Sequence, residues 1–291
     1  THALCRSRLC RSRPGIGWLR LGPAGLDRLL SGVPFRRPRR AGYLRSRDHE
    51  DMSRSPAARQ FSQLVRSRRS VRDFLPDPVP DDVLAQVLDD AQWAPSWSNT
   101  QPYRLAVATG SRRDHLEHEL CARYDRASAA RRGGPLDKLR LLVSREGLPD
   151  GDFDTNLTYP EDLQPYRRHT GFGLYSVLGI ERHDHEARDR QMRRNFEFFG
   201  APVVIFVFVH EGLKEFSVLD AGIYLQTLML SAHANGLATC AQGALATWPG
   251  PVRRAFDLPD RYKLICGVSL GYASPHPVNE FNPGRREVPR G

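Results

Sequence analysis

Four arginines fall within the nine residues RSRRSVRDF, which run from Arg66 to Phe74. An arginine guanidinium is a planar fork of donors that binds a phosphate through two hydrogen bonds, and Ser70 adds a hydroxyl donor. On a helix surface, acidic residues four positions away would relieve the like charges, but the first acid here is Asp73. The stretch predicts a clamp for a phosphate dianion, with a nucleic-acid patch and plain solvated charge as alternatives.

A second candidate site is the loop Ala94–Tyr103, which has the sequence APSWSNTQPY. Ser96, Asn99 and Gln101 bring hydroxyl and amide groups together, and two prolines stiffen the backbone around them. Such groups match the alternating donors and acceptors of a flat heterocycle. The alternative is a plain connector between a helix and a strand, built from turn residues.

The net charge of +10 is concentrated at the N-terminus. Residues 1–51 contain 12 arginines and four acids, so they hold +8 and leave +2 for residues 52–291. The N-terminal segment has no sustained apolar period and no apolar run that could cross a bilayer. We predict that residues 1–51 form a disordered Arg-rich extension whose place in the native protein is open, with a transit peptide or a nucleic-acid-binding arm as alternatives. Residues 52–291, which start at the first methionine, are predicted to form one folded domain.

The cysteines are odd in number and widely spaced, and no CxxC occurs. This pattern supports neither a disulfide framework nor a zinc site, and it predicts a reducing, cytoplasmic compartment. The histidines at helical spacing lie among charged residues, which favours a solvated surface over metal ligands. No metal site is therefore predicted.

Helices and strands interleave without a regular βαβ repeat, which predicts an α+β fold. The run VVIFVFV before His210 is typical of a strand buried on both faces. Residues 147–182 are polar and aromatic, and their structure is the hardest to predict. Helices are predicted from Pro56 and over 80–93, 111–146 with a break near Gly133, 217–235 and 252–256, and strands over 103–109, 202–210 and 262–272.

Together, the two motifs resemble those of the FMN-dependent nitroreductase family. The family's Arg-Arg/His-Ser-x-Arg/Lys is matched by Arg68–Arg72, and its Ala-Pro-Ser-x-x-Asn-x-Gln-Pro-Trp is matched by Ala94–Tyr103, with tyrosine in place of tryptophan. The likeness covers residues 55–291 in order, and the middle section is similar to the subgroup that includes nitrobenzoate reductases. Further matches are Asn195–Pro202, Gly236–Ala244, Gly267–Tyr272 and the closing Asn279-x-Phe281 with Arg285-Arg286.

The resemblance implies that residues 52–291 bind FMN at the interface of a homodimer. The phosphate and ribityl chain would be held by Arg68, Arg69, Ser70 and Arg72, helped by the tail residues Arg285 and Arg286. The second subunit would line the flavin with Pro95, Ser96, Asn99 and Gln101. The other flavin edge would be followed by Ala241, Gln242, Gly243 and Ala244, with the Ala244 N–H facing flavin N5.

The implied fold is a central mixed sheet wrapped by helices, in an interlocked homodimer. The implied activity is an NAD(P)H oxidoreductase in which NADH or NADPH reduces FMN and leaves, and a nitroaromatic or quinone then takes the same slot. Hydride transfer through N5 requires no acid or nucleophile from a side chain. The alternatives are a flavoenzyme with other chemistry, such as reductive dehalogenation or flavin breakdown, and a flavin-binding redox sensor. No nucleic-acid or membrane partner is expected.

Overall fold

The computed structural model describes residues 55–145, 147–153 and 158–287. The predicted extension over residues 1–51 lies outside the described residues, and its prediction stays open. Among the described helices, none has the length and apolar composition needed to cross a bilayer.

A four-stranded antiparallel sheet in the order β1-β2-β4-β3 forms the centre of the fold. The central strand β2 is buried from Val203 to Val209, as its apolar run predicts. Parallel pairing in the described residues is confined to a bridge between Ser70 and Thr239. The expected mixed sheet is thus mostly antiparallel, because only this segment beside β3 runs parallel to its neighbour. The strands are β1 (Tyr103–Thr109), β2 (Val203–His210), β3 (Ala238–Gln242) and β4 (Tyr262–Gly271).

Helices cover both faces of the sheet, so the described chain has the predicted α+β architecture. Buried residues of α2 and α7 pack on one face, and those of α3 and α8 pack on the other. The helices are α1 (Pro56–Ser67), α2 (Asp81–Gln92), α3 (Gly110–Arg132), α4 (Pro135–Ser144), α5 (Gln164–Val177), α6 (His185–Arg193), α7 (Lys214–Ala234) and α8 (Pro249–Phe256).

The helix termini follow local sequence signals. The Ser55 hydroxyl accepts a hydrogen bond of 3.2 Å from the Ala58 N–H at the start of α1, and Pro56 occupies the first turn. The helix α7 ends at Ala234, two residues before Gly236, whose φ is 75°. Glycine adopts this left-handed conformation without steric cost.

Residues 147–182, whose structure was the hardest to predict, contain α5. The C-terminal tail packs along this helix at Gly173, where an added Cβ would lie 2.8 Å from the Phe281 ring. A side chain at this position would displace the tail. The absence of a side chain at Gly173 therefore lets the tail lie close to α5.

Candidate functional site

The arginine segment leaves α1 and runs along the edge of the sheet beside β3. The Val71 N–H donates to the Thr239 carbonyl at 3.1 Å, and the side chains of Val71 and Phe74 are buried. These buried residues anchor the segment. Ser70 and Arg72 flank Val71 and are only partly buried.

The guanidiniums of this segment differ in their partners. Arg69 Nη1 lies 2.7 Å from Glu280 Oε2 and donates to the Asn279 carbonyl at 3.3 Å. Arg72 Nη1 donates to the Ser70 carbonyl at 3.2 Å. The Arg68 guanidinium has no hydrogen-bond or carboxylate partner in the part of the chain that the structure describes. Among the described residues, Arg68 is thus a partly buried cation without a counterion.

Arg285 of the C-terminal tail adds a second positive charge beside Arg68. Burial, and next the charge of Arg285, lower the pKa of Arg68. The Arg286 guanidinium lies 4.3 Å from the centre of the Tyr166 ring on α5. Of the two tail arginines predicted for the site, Arg285 acts on the pKa of Arg68 and Arg286 packs on α5, and their predicted role in binding a phosphate stays a prediction.

His233, at the end of α7, completes the surroundings of this cluster. Its Nε2 lies 2.8 Å from the Ser67 hydroxyl. Burial, and next the charges of Arg68 and Arg69, lower the pKa of His233. The imidazole therefore favours its neutral form beside the arginines. His233 could not be predicted from the sequence, since its neighbours are known only once α7 packs against α1.

The charges of Arg68 and Arg72 also act on the Cys240 thiol of β3. Burial raises the pKa of Cys240 to about 11, while Arg72 and Arg68 act in the opposite direction. The influence of both arginines on this one thiol indicates that Arg68 and Arg72 lie near β3. The cluster of Arg68, Arg69, Arg72 and Arg285 is hereafter called the arginine cluster.

The chain continues from Cys240 into the predicted second edge of the site. Gln242 is buried; its Nε2 donates to the Asn195 carbonyl at 2.8 Å, and its Oε1 accepts from the Ser269 hydroxyl at 2.5 Å. These bonds orient β3 from inside the protein, so the Gln242 side chain is not available to a ligand. Ala241 and Gly243 are exposed, and Ala244 is partly buried.

The second predicted motif forms a loop that closes on itself. The Ser96 hydroxyl accepts from the Gln101 N–H at 2.9 Å, and Gln101 Nε2 donates to Asn99 Oδ1 at 3.1 Å. Ser98, Asn99 and Gln101 have φ values of 49°, 53° and 47°. Positive φ is costly for residues other than glycine, and such strain clusters at functional sites. Pro95 lies at the start of this strained turn and is exposed.

A buried carboxylate holds this loop. Both oxygens of Asp220 on α7 lie 3.1 Å from the Trp97 N–H, and Asp220 is only 3% exposed. The Trp97 ring packs edge-on against Phe216, with 4.3 Å between the ring centres. Trp97 thus packs against α7, although 56% of the residue stays exposed.

The loop and the arginine cluster lie near different ends of α7. Trp97 contacts Asp220, whereas Ser67 contacts His233 thirteen residues further along the same helix. At a rise of about 1.5 Å per residue, these two contacts are about 20 Å apart. Within one chain, the structure joins the arginine segment, Arg285 and β3, and it leaves the loop away from them.

Comparison with known proteins bears on this arrangement. The model of the nitroreductase family matches residues 65–272, a stretch that includes both predicted motifs and all four strands. The chain belongs to the nitroreductase family. It is 37% identical over 213 residues to a 4-nitrobenzoate reductase of Pseudomonas putida, which covers 73% of this chain and 85% of the relative.

Other relatives agree with this family membership. A 4-nitrobenzoate reductase of Nocardioides sp. (strain LMS-CY) is 34% identical over 247 residues, covering 83% of this chain and 94% of the relative. The crystal structure of the FMN-dependent nitroreductase NfnB from Mycobacterium smegmatis in complex with NADPH superposes with a TM-score of 0.69 at 31% identity. It covers 79% of this chain and 96% of that chain. The predicted family and fold class are confirmed.

No group of three or more potential metal ligands occurs within the described ranges.

Proposed function

We propose that this protein is an FMN-dependent NAD(P)H oxidoreductase that reduces nitroaromatic compounds. The observation that supports this proposal most directly is the charge of the arginine cluster, where Arg68 lies beside Arg285 without a carboxylate partner among the described residues. A bound phosphate dianion would supply the missing counterion. Relatives named 4-nitrobenzoate reductases and FMN-dependent nitroreductases support the same reaction class.

The chemistry of the donors suits the phosphate of FMN. Arg68 and Arg72 offer planar donor forks, and Ser70 offers a hydroxyl on the same segment. Arg69 is held by Glu280, with side-chain exposures of 44% and 79%. A surface pair of this kind stabilises the protein little, so Arg69 remains able to bind a phosphate.

The exposed small residues at the end of β3 and just after it suit the ring system. Ala241 and Gly243 present small surfaces to which a flat ring can lie close. When bound, FMN supplies hydride transfer between NAD(P)H and the acceptor. The chain's own tasks are to hold the phosphate at the arginine cluster, to orient the ring along residues 241–244, and to stabilise negative charge with nearby arginines.

A second copy of the chain would complete this site. The loop with Ser96, Asn99 and Gln101 lies about 20 Å from the arginine cluster measured along α7, so a partner's loop is the better candidate to line the same flavin. Large apolar side chains are also exposed on the elements that pack against α7, since Phe61 is 62% exposed and Trp93 is 85% exposed. Exposed apolar patches of this kind mark interaction surfaces.

The catalytic cycle we propose has two half-reactions in one slot. NADH or NADPH binds against the flavin site and leaves oxidised, and a nitroarene or a quinone then binds in the same place. This order predicts parallel lines in double-reciprocal plots of rate against each substrate.

An anaerobic titration tests the proposal. The FMN-loaded protein is titrated with NADPH while the visible absorbance of the bound flavin is recorded, and 4-nitrobenzoate or a quinone is then added. We expect prompt bleaching that the acceptor reverses. Bound flavin that stays oxidised in excess NADPH and NADH would contradict the proposal and favour a redox sensor or a different flavin chemistry.

A further inference from the structure

A cavity of about 770 Å³ lies between α5 and the segment that leads into α6. Four arginines line it: Arg167, Arg168, Arg182 and Arg188. None of their guanidiniums pairs with a carboxylate in the described ranges of the chain. Glu181 is the carboxylate among the described lining residues, so the wall keeps a clear excess of positive charge.

Aromatic rings form part of the same wall. Phe172 is 56% exposed, and Tyr175 lies beneath the Arg188 guanidinium with 5.3 Å to the ring centre. Arg188 Nη1 donates to the Arg182 carbonyl at 3.4 Å. These contacts fix the Arg188 plane over a ring before any ligand arrives.

Arg188 also has an unsatisfied donor. Its Nε is buried and has no hydrogen-bond partner among the described residues. Buried donors in folded proteins almost always have an acceptor. Because this donor is itself buried, an anion in the cavity would bind the exposed side chains of Arg167, Arg168 and Arg182.

The cavity adjoins the proposed flavin site. A neighbouring groove of about 1010 Å³ shares Arg167 and Gly171 with it and extends to Arg285 of the tail. Arg285 lies beside Arg68 in the arginine cluster. A ligand in the cavity is therefore separated from the arginine cluster only by the groove along α5.

We propose that this cavity binds an aromatic ring bearing a phosphate or a carboxylate, and that it belongs to one of the two substrates of the proposed reaction. Arginine forks bind either anion, and the rings of Phe172 and Tyr175 cover the aromatic part. Two substrates have this chemistry: the 2′-phosphoadenosine end of NADPH and an arenecarboxylate acceptor. This inference rests on the proposed function.

The test compares two double variants of the FMN-loaded protein. Arg168→Ala/Arg182→Ala removes two exposed charges from the cavity wall. Arg140→Ala/Arg190→Ala removes two exposed charges outside it, each from a helix-surface ion pair. Calorimetry measures the affinity of both variants for 2′,5′-ADP against 5′-AMP. Steady-state kinetics compares the KM for NADPH with that for NADH, and the KM for 4-nitrobenzoate with that for nitrobenzene.

We expect the cavity variant to lose at least about tenfold in affinity for the member of one pair that carries the additional phosphate or carboxylate, with the member that lacks this group and the control variant unchanged. Weaker 2′,5′-ADP and NADPH binding assigns the cavity to the dinucleotide, and a raised KM for 4-nitrobenzoate alone assigns it to the acceptor. Equal shifts in all pairs, or equal shifts in both variants, would overturn the inference. Calorimetry measures binding without turnover. Its result therefore tests the cavity even if the flavin titration contradicts the proposed activity.

Discussion

The buried carboxylate of Asp220 accepts the backbone N–H of Trp97, with 3.1 Å to each of its oxygens. A helix residue thereby fixes the entrance of a loop in which Ser98, Asn99 and Gln101 all have positive φ. Strained backbone persists only where surrounding contacts hold it. Asp220 is thus the contact that ties the strained loop to the rigid body of the protein.

The first prediction concerns this contact. Asp220→Ala should lower the free energy of unfolding by about 1–3 kcal/mol, because it leaves the Trp97 N–H without its acceptor. Asp220→Asn keeps a carbonyl oxygen and should recover most of the loss. Urea denaturation of both variants measures the difference. Equal midpoints for the alanine variant and the unaltered protein would show that Asp220 does not hold the loop.

The second prediction concerns the contributions of Arg68 and Arg69 to FMN binding. Arg68→Ala and Arg69→Ala should each weaken FMN binding more than about tenfold, since each removes a charge-assisted hydrogen bond to the phosphate. Arg68→Ala should leave the stability of the FMN-free protein unchanged or higher, because it removes the repulsion between Arg68 and Arg285. Quenching of FMN fluorescence gives the affinities, and Arg190→Ala serves as the control. Unaltered FMN affinity in Arg68→Ala would remove Arg68 from the site.

The third prediction is a pH dependence of stability. Burial and the charges of Arg68 and Arg69 lower the pKa of His233 below 6.5 in the folded protein. Between that lowered pKa and 6.5, the unfolded chain binds more protons at this residue than the folded protein does. The stability from this residue is therefore complete above pH 6.5 and declines as the pH falls through the window.

His233→Gln isolates this contribution, because glutamine does not titrate. In the FMN-free protein, the decline in the free energy of unfolding from pH 7.5 to pH 5.5 should be smaller in His233→Gln than in the unaltered protein. Urea unfolding at the two pH values measures it. Identical declines would mean that His233 titrates alike in the folded and unfolded states.

The fourth prediction concerns buried thiols. Burial raises the pKa of Cys121 to about 12 and that of Cys240 to about 11. The thiolate is the reactive form, so iodoacetamide at pH 8 should label these two residues more than about tenfold more slowly in the native protein than in urea. Mass spectrometry of the peptides measures each residue separately. Rapid labelling of Cys240 in the native protein would show that the β3 edge opens readily.

Local sequence signals predicted most of the fold. The apolar run of β2 and the Ser55 cap of α1 act through neighbouring residues, and both elements occur where the sequence placed them. The helix α5 was missed because its position depends on Gly173 receiving the ring of Phe281, more than a hundred residues along the chain. The sequence of residues 147–182 alone does not predict the contact between Gly173 and Phe281.

The same distinction applies to the site. The arginine segment was predicted because its donors lie within a few residues of one another. Asp220 and His233 were not predicted, since their partners Trp97 and Ser67 lie 123 and 166 residues away in sequence. The partner of a buried polar residue in an apolar helix depends on which element packs against that helix, and the local sequence does not contain this information. The contact of the tail residue Arg286 with Tyr166 was likewise not predicted, since Tyr166 lies 120 residues away in sequence.

The Trp97–Asp220 and Ser67–His233 contacts lie far apart on α7, and this separation predicts the activity of dimers formed from two different inactive variants. If each site draws its arginines from one subunit and its loop from the other, a subunit with a damaged loop still supplies intact arginines. Co-expression of Arg68→Ala chains with chains altered at Ser96 and Asn99 would then yield mixed dimers in which both defects fall in one site and the other site is intact. Two inactive proteins would together regain up to half of the activity per mixed dimer, a form of complementation that a site built within one chain does not permit.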